Sequence, residues 1–337
     1  MVTPFYHQVA APLVHSYTAQ TTTRRQAALL SNTTGGVSLT PSYLQHQLAS
    51  YQPGDPIVIG PDELQGIVQI PFGGSQPLGC TARPLGRSTD EVFVTTYFEP
   101  SVMRLICMRT HDGLTIKVDP IRSVKHDTKS VRIFPDIPGV PFGHENRGRG
   151  ISVLPNGEVW VNRGDRKLFR LCEVYQDRVW FVVQEVVLPD MRNEERYVHS
   201  MDVTPTPNRE LIIETVEGPA GAVDVICCHY RLDPYGSVTE EENLPLPATD
   251  FIYGWGAGKN GNHHWFVTDN RCTTAAHGIY CGNTLVLPDP GDASLTGTGI
   301  AFLGDGTAII TQYGQGFPGP FNGREGRLVI VPAHLLA

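Results

Sequence analysis

The sequence predicts an all-β fold of repeated antiparallel sheets, and three observations carry that expectation. First, Arg149 to Arg163 reads as an alternating strand, a Pro-Asn-Gly turn and a second alternating strand. An Asn-Gly or Asp-Gly pair between alternating apolar runs is a strong hairpin signal, because the turn needs residues that tolerate positive φ. Second, the pattern recurs at Gly299 to Thr311 with Asp-Gly at the turn. Third, glycine (35) and proline (27) are frequent, only 18% of residues are charged, and no run shows helical spacing of apolar residues. Many short strands joined by turns suit that composition.

Read in order, the hairpin occurs five times. Cys80 to Leu85 leads into Asp90 to Thr96, Gly150 to Leu154 into Gly157 to Arg163, and Ser200 to Thr204 into Arg209 to Thr215. Phe251 to Gly256 leads into Asn262 to Asn270, and Gly299 to Leu303 into Thr307 to Thr311. Counted from residues 90, 157, 209, 263 and 306, the second strands begin about 67, 52, 54 and 43 residues apart, the period of propeller blades. Third strands follow at Val102 to Met108, Lys167 to Val174, Val223 to Leu232, Gly278 to Leu287 and Arg327 to Val331. Fourth strands are expected at Leu114 to Ile121, Arg178 to Leu188 and, more weakly, Ser237 to Leu246. None follows the last third strand before Ala337. An open edge there would leave backbone groups unpaired, so Pro56 to Gly60 or Gly66 to Pro71 is expected to close the ring. The expected architecture is a β-propeller of five blades over residues 55–337, closed by an N-terminal strand, with six blades the alternative if residues 35–75 hide another. Residues 1–54, rich in Thr, Gln, Ser and Ala, are expected to form an N-terminal arm, extended or partly helical, that packs on the propeller or on other subunits.

The bulk properties exclude some partners. A net charge of -8 argues against nucleic acid, whose non-specific binding needs clustered Lys and Arg. No stretch approaches the ~18 apolar residues of a membrane span, and residues 1–30 lack a basic segment followed by an unbroken apolar core. A soluble chain without a signal peptide is expected. Of seven cysteines, Cys107, Cys172 and either Cys227 or Cys228 fall inside strand patterns and read as core residues. Cys272 and Cys281 flank a loop and are either a local disulfide or two thiols.

By antiparallel alternation, the loop entering each blade and the loop joining its second and third strands share one face. Candidate ligand-binding residues on that face are His144, Arg149, His199, Tyr253, Trp255 and Tyr97, with Tyr313, Phe317, Phe321 and Asn322 from the Gly- and Pro-rich segment 312–325. Rings beside amides suit a sugar or peptide, since rings stack and amides bond hydroxyls. Asp202 and Glu214 enter the same loop sets. Gly254 to Lys259 is too short for a phosphate loop and lacks its Ser or Thr. Adjacent His263 and His264 should point to opposite faces of a strand. No Gly-X-Ser-X-Gly elbow occurs, and no nucleophile is positioned by motif.

The Gly-Ile-X-Val-X-Pro-X-Gly-X-Val-X-Val pattern of the second and fifth copies resembles the β-propeller superfamily, most closely NHL-repeat and gluconolactonase-like blades. That resemblance covers about residues 66–332 and identifies a blade. It implies a divalent metal, calcium for an oxygen shell, with Glu145, Asn162, Glu214 and Asp269 as the matching ligands. The leading functional expectation is non-catalytic binding through the loop-rich face, most concretely a virion or phage receptor-binding head, with a glycan or protein as receptor. The alternatives are a calcium-dependent hydrolase or lactonase and an intracellular protein-interaction scaffold.

Overall fold

The computed structural model describes residues 55–73, 77–96, 101–118, 122–126, 150–162, 166–174, 179–189, 197–218, 226–245, 256–261, 263–267, 278–282, 284–288, 295–314 and 326–337. The chain begins with two short strands, β1 (Pro56–Ile59) and β2 (Val68–Gly73), separated by a 3-10 turn at Glu63–Gln65. Blade 1 follows as β3 (Pro77–Pro84), β4 (Thr89–Thr96), β5 (Ser101–Thr110) and β6 (Gly113–Val118). A further strand, β7 (Arg122–His126), leads to blade 2, made of β8 (Ile151–Val153), β9 (Val159–Asn162), β10 (Lys167–Val174) and β11 (Val179–Val187). Blade 3 comprises β12 (Tyr197–Pro205), β13 (Leu211–Gly218), β14 (Ile226–Leu232) and β15 (Val238–Pro245). Blade 4 comprises β16 (Gly256–Asn260), β17 (His263–Val267), β18 (Gly278–Cys281) and β19 (Thr284–Pro288). Blade 5 holds β20 (Leu295–Phe302), β21 (Ala308–Gly314) and β22 (Gly326–Val331).

The five first strands form the inner ring. β3 packs against β8, β8 against β12, β12 against β16 and β16 against β20, and β20 packs back on β3. The fold is a five-bladed β-propeller.

The fourth place in blade 5 is taken by β2, which pairs antiparallel with β22 from Val68↔Ile330 to Gly73↔Gly326. The other N-terminal strand, β1, goes elsewhere. It pairs with β6 as a fifth strand on the outer edge of blade 1. Residues 56–73 therefore strap the first blade to the last. Ile57, Ile59, Val68 and Ile70 are all buried in one apolar cluster with Val92, Leu105, Ile116, Ile309 and Ile330. At the next seam, β7 pairs parallel with β11 and briefly antiparallel with β5, linking the outer parts of blades 1 and 2.

The hairpin turns share one hydrogen-bond pattern. Gly157 N–H donates to the Leu154 carbonyl (2.9 Å), Gly306 to Leu303 (2.9 Å), Gly236 to Asp233 (3.1 Å) and Arg209 to Thr206 (3.1 Å). In the first three the donor is a glycine with φ between 88° and 95°, and in the fourth Arg209 sits at φ 66°. A left-handed conformation costs an ordinary L-residue about 1–2 kcal/mol, which glycine avoids at some entropic cost. Arg209 is exposed, so Arg209→Gly should raise stability by about 0.5–1 kcal/mol. A urea midpoint equal to or below that of the parent chain would refute this.

Two strand placements differ from the sequence expectation, both in blade 4. The described inner strand is Gly256–Asn260, beyond the expected 251–256, of which 251–255 lie outside the described residues; the Gly-Ala-Gly-Lys-Asn segment has no apolar alternation to reveal it. Its glycine has a packing reason. A Cβ at Gly258 would lie 2.2 Å from the Ile300 carbonyl oxygen on β20, so the neighbouring inner strand needs a bare backbone here. The run expected as one third strand, 278–287, is two strands, turning at Gly282 with φ 56°. Among the described residues no helix is long and apolar enough to cross a membrane.

Candidate functional site

Strand register assembles a row of polar side chains across blade 3. Asp202 on β12 lies opposite Glu214 on β13, which lies opposite His229 on β14. Directly opposed residues on adjacent strands project to the same sheet face. In blade 4, Lys259 on β16 lies opposite His264 on β17. The two rows meet at the seam between the blades.

The Lys259 ammonium contacts Glu214 Oε2 and lies 3.9 Å from Asp202 Oδ2. Glu214 Oε1 is 3.3 Å from His229 Nε2 and 4.0 Å from His264 Nε2. Asp202 is fixed from the other side by blade 2. Ser152 Oγ donates to its Oδ1 (3.1 Å), and the same hydroxyl accepts the Val203 N–H (2.9 Å). Thr204 Oγ1 donates to Asp202 Oδ2 (3.3 Å). Asp202 and Lys259 both belong to inner strands, near the face that carries the first-to-second-strand turns.

Other seams hold polar contacts that are mostly buried, although Asp305, 3.6 Å from Arg109 at the seam of blades 1 and 5, is 42% exposed. Arg109 pairs with Asp90 (2.9 Å) where blade 1 meets blade 5, and Asp90 also accepts the Gly304 N–H (3.1 Å). Arg83 pairs with Glu91 (2.6 Å) and donates to the Pro155 carbonyl of blade 2 (3.2 Å). Arg166 of blade 2 pairs with Glu217 of blade 3 (2.6 Å). The carboxylates of Asp90, Glu91 and Glu217 are only 1 to 4% exposed. At the seam between blades 3 and 4 the exposures are 33% for Asp202, 26% for Lys259 and 40% for His264. That seam is open to solvent.

Burial moves two of its groups. It pushes Lys259 below the ordinary lysine value, opposed by Asp202. It likewise pushes His264 below the ordinary histidine value, aided by the charges of Lys259 and His229 and opposed by Asp202, so the imidazole is neutral at pH 7. A depressed folded value means that the stability owed to His264 is complete above the unfolded histidine value, ~6.5, and is lost as pH falls through the folded value. Thermal stability should therefore drop between pH 7 and pH 5, and His264→Gln should flatten that drop. Identical slopes for the two chains would refute the assignment.

Of the residues singled out in the sequence, Tyr97, His144, Glu145, Arg149, Tyr253, Trp255, Asp269, Phe317, Phe321 and Asn322 lie outside the described residues. His199 occupies the register shift between Val198 and Ser200, a bulge in the inner strand β12. Tyr313 lies in β21, opposite Thr296 on one side and Gly326 on the other. Asn162 ends β9 fully buried, with its N–H on the Gly150 carbonyl (3.0 Å) and its amide against Gly150. Glu214 contacts Lys259 and lies 3.3 Å from His229 Nε2. Among the described residues no three of His, Cys, Asp and Glu are grouped to hold a metal ion. Cys80, Cys107, Cys228 and Cys281 are free thiols, and burial pushes those of Cys80 and Cys107 up to about 12. Cys272 lies outside the described residues, so its pairing with Cys281 does too.

Lys259 and His264 were missed because one lies in an apparent loop and the other beside a second histidine. The signal was there in the spacing. His263 is exposed and His264 turns inward, as alternation along a strand requires.

No protein-family profile matches the chain, and no curated protein does. Several solved structures are similar in shape. One is an α-L-arabinofuranosidase from Clostridium thermocellum, 9% identical, with a TM-score of 0.46 over 71% of this chain and 82% of that one. Another is a gluconolactonase from Xanthomonas campestris, 12% identical, with a TM-score of 0.32 over 78% of this chain and 100% of that one. A glucose dehydrogenase is 12% identical, with a TM-score of 0.35 over 79% and 99%. At these identities the likeness is one of fold alone.

Proposed function

We propose that the protein is a non-catalytic binding head that offers a rigid propeller surface to a ligand. The observation that carries this reading is the open polar seam between blades 3 and 4. Asp202, Lys259 and His264 there remain 26 to 40% exposed, whereas Asp90, Glu91 and Glu217 at other seams are 1 to 4% exposed, with Asp305 beside Arg109 at the seam of blades 1 and 5 the exception at 42%. Fixed polar groups on a rigid scaffold bind with little ordering cost. The ring supplies that rigidity, since each inner strand is packed on both sides.

In its most concrete form the head is attached to a larger assembly through residues 1–54 and presents its surface to a receptor. The full chain should then be oligomeric in solution, and a chain starting at Asp55 should be a folded monomer. Light scattering after gel filtration distinguishes these, and a monomeric full chain would refute assembly through the arm.

The calcium-dependent lactonase reading is the alternative. It places Asn162 and Asp269 at one ion with Glu145 or Glu214 completing the shell; Asp269 and Glu145 lie outside the described residues, Asn162 is fully buried at the seam of blades 2 and 3, and Glu214 contacts Lys259.

A further inference from the structure

We infer that the ring is jointed between blades 3 and 4: these two blades part and close again within the folded protein, while the other four seams stay shut. This goes beyond the binding reading and holds whether or not a ligand occupies the seam.

The repeats supply the comparison, because each blade presents the same two rows to its neighbours. The first row faces the next blade. In blades 1, 2, 4 and 5 it has glycine on the inner strand (Gly79, Gly150, Gly256, Gly299) and an uncharged residue on the second (Thr95, Asn162, Val267, Thr311). It ends with an apolar residue on the third strand (Val102, Leu168, Ile279, Leu328). In blade 3 the same row is Asp202, Glu214 and His229. The second row faces the preceding blade. It pairs Ala82 with Val92, Val153 with Val159, Pro205 with Leu211 and Phe302 with Ala308, but in blade 4 it pairs Lys259 with His264. All five departures meet at one seam. Four seams close without such groups, so the fold itself does not call for them, and a break in a repeat's rule marks a functional feature.

The departures change how the blades meet. A Cβ at Gly150 would lie 2.8 Å from the Met201 nitrogen of blade 3, and one at Gly299 would lie 2.7 Å from the Cys80 nitrogen of blade 1. Glycine there admits the neighbouring inner strand, whereas Asp202 puts a carboxylate in the corresponding place. The link across the seam is ionic: Lys259 reaches Glu214 and comes within 3.9 Å of Asp202. Partly exposed ion pairs give way to water at little cost, but parting the apolar rows of the other seams costs in proportion to their area. Phe266 and Tyr280, 6% and 4% exposed, lie opposite each other on the face of blade 4 that carries His264. They hold the joint closed at rest and are wetted when it opens.

Hydroxyl-radical footprinting of the full chain tests this, because it reads how often water reaches a buried ring. Phe169 (4% exposed), at the seam of blades 1 and 2, and Tyr230 (1% exposed), at the seam of blades 2 and 3, are the references. Phe266 should be oxidised about tenfold faster than Phe169, and Tyr280 about tenfold faster than Tyr230, since a local opening is far more frequent than global unfolding. A variant given the residues of blade 2 at the five positions (Asp202→Gly, Glu214→Asn, His229→Leu, Lys259→Val, His264→Val) should bring both ratios to parity. Equal rates within each pair in the unaltered chain would overturn the inference, whether or not the variant folds. Ratios that stay high in a folded variant would overturn it as well, because the charged rows would then not be the cause.

Discussion

A chain that begins at Gln76 should lose its cooperative fold altogether. The missing strap carries Ile57, Ile59, Val68 and Ile70, each no more than 5% exposed. Burial of such side chains contributes about 1.5–3 kcal/mol apiece. Their sum is comparable to the ~5–15 kcal/mol that keeps an ordinary domain folded. Two further losses add to it. Blade 5 is left with three strands and an open edge at β22, and Arg327, 3% exposed, loses its contact with Gln69. The measurement is urea unfolding followed by near-ultraviolet circular dichroism, with the chain beginning at Asp55 as the comparison. A sharp transition at an unchanged midpoint in the shorter chain would mean that the strap is dispensable.

Glu217→Ala should cost about 3–5 kcal/mol, the range for stripping one partner from a buried ion pair. The Glu217 carboxylate accepts from Arg166 (2.6 Å), from the Tyr230 hydroxyl (2.7 Å) and from Thr215 Oγ1 (2.7 Å). Arg166 also donates to Tyr230 (2.7 Å) and to the Leu188 carbonyl (3.4 Å), so it is fixed in place when its counter-charge disappears. Tyr230→Phe is the graded comparison, removing neutral-side contacts while sparing the ion pair, and should cost about 1 kcal/mol. The tyrosine stays protonated throughout, since burial and the Glu217 charge both push its ionisation upward. Urea midpoints of the two variants in the reverse order would contradict the assignment of Glu217 as the centre of the network.

Blade content was legible wherever a strand alternates and ends in a turn with its own chemistry. Asn156-Gly157 and Asp305-Gly306 are the clearest instances. In each, the Asn or Asp side chain accepts an N–H two residues on, from Glu158 (3.0 Å) and Thr307 (2.9 Å). Blade 4 was harder to read because its inner strand is built around Gly258 for the sake of β20, and nothing local announces that need. The expected site lay at the loop-rich face, where aromatic and amide residues gather in sequence. The described polar seam lies toward the opposite face and is made by residues in the middle or at the ends of strands. Its members come from β12, β13, β14, β16 and β17, and only register brings them together. A lone charge in a strand looks the same whether it faces water or a neighbouring blade. Asp202 and Glu214 were expected in the loop sets of the loop-rich face, but both lie within strands, and their partner Lys259 comes from another repeat.

The strap gives the molecule an order in time as well as in space. Gln69 finds Arg327 across 258 residues, and β2 has no place in its sheet until β22 has been synthesised. Blades 2, 3 and 4 are each complete within a continuous stretch of chain, but blade 5 joins the beginning to the end. During translation β2 must therefore wait for its partner while four blades form behind it, and such long-range pairings are slow and exposed to aggregation. A ribosome that stops before residue 326 releases a ring that cannot shut. Closure thus reports that the chain has been read as far as β22.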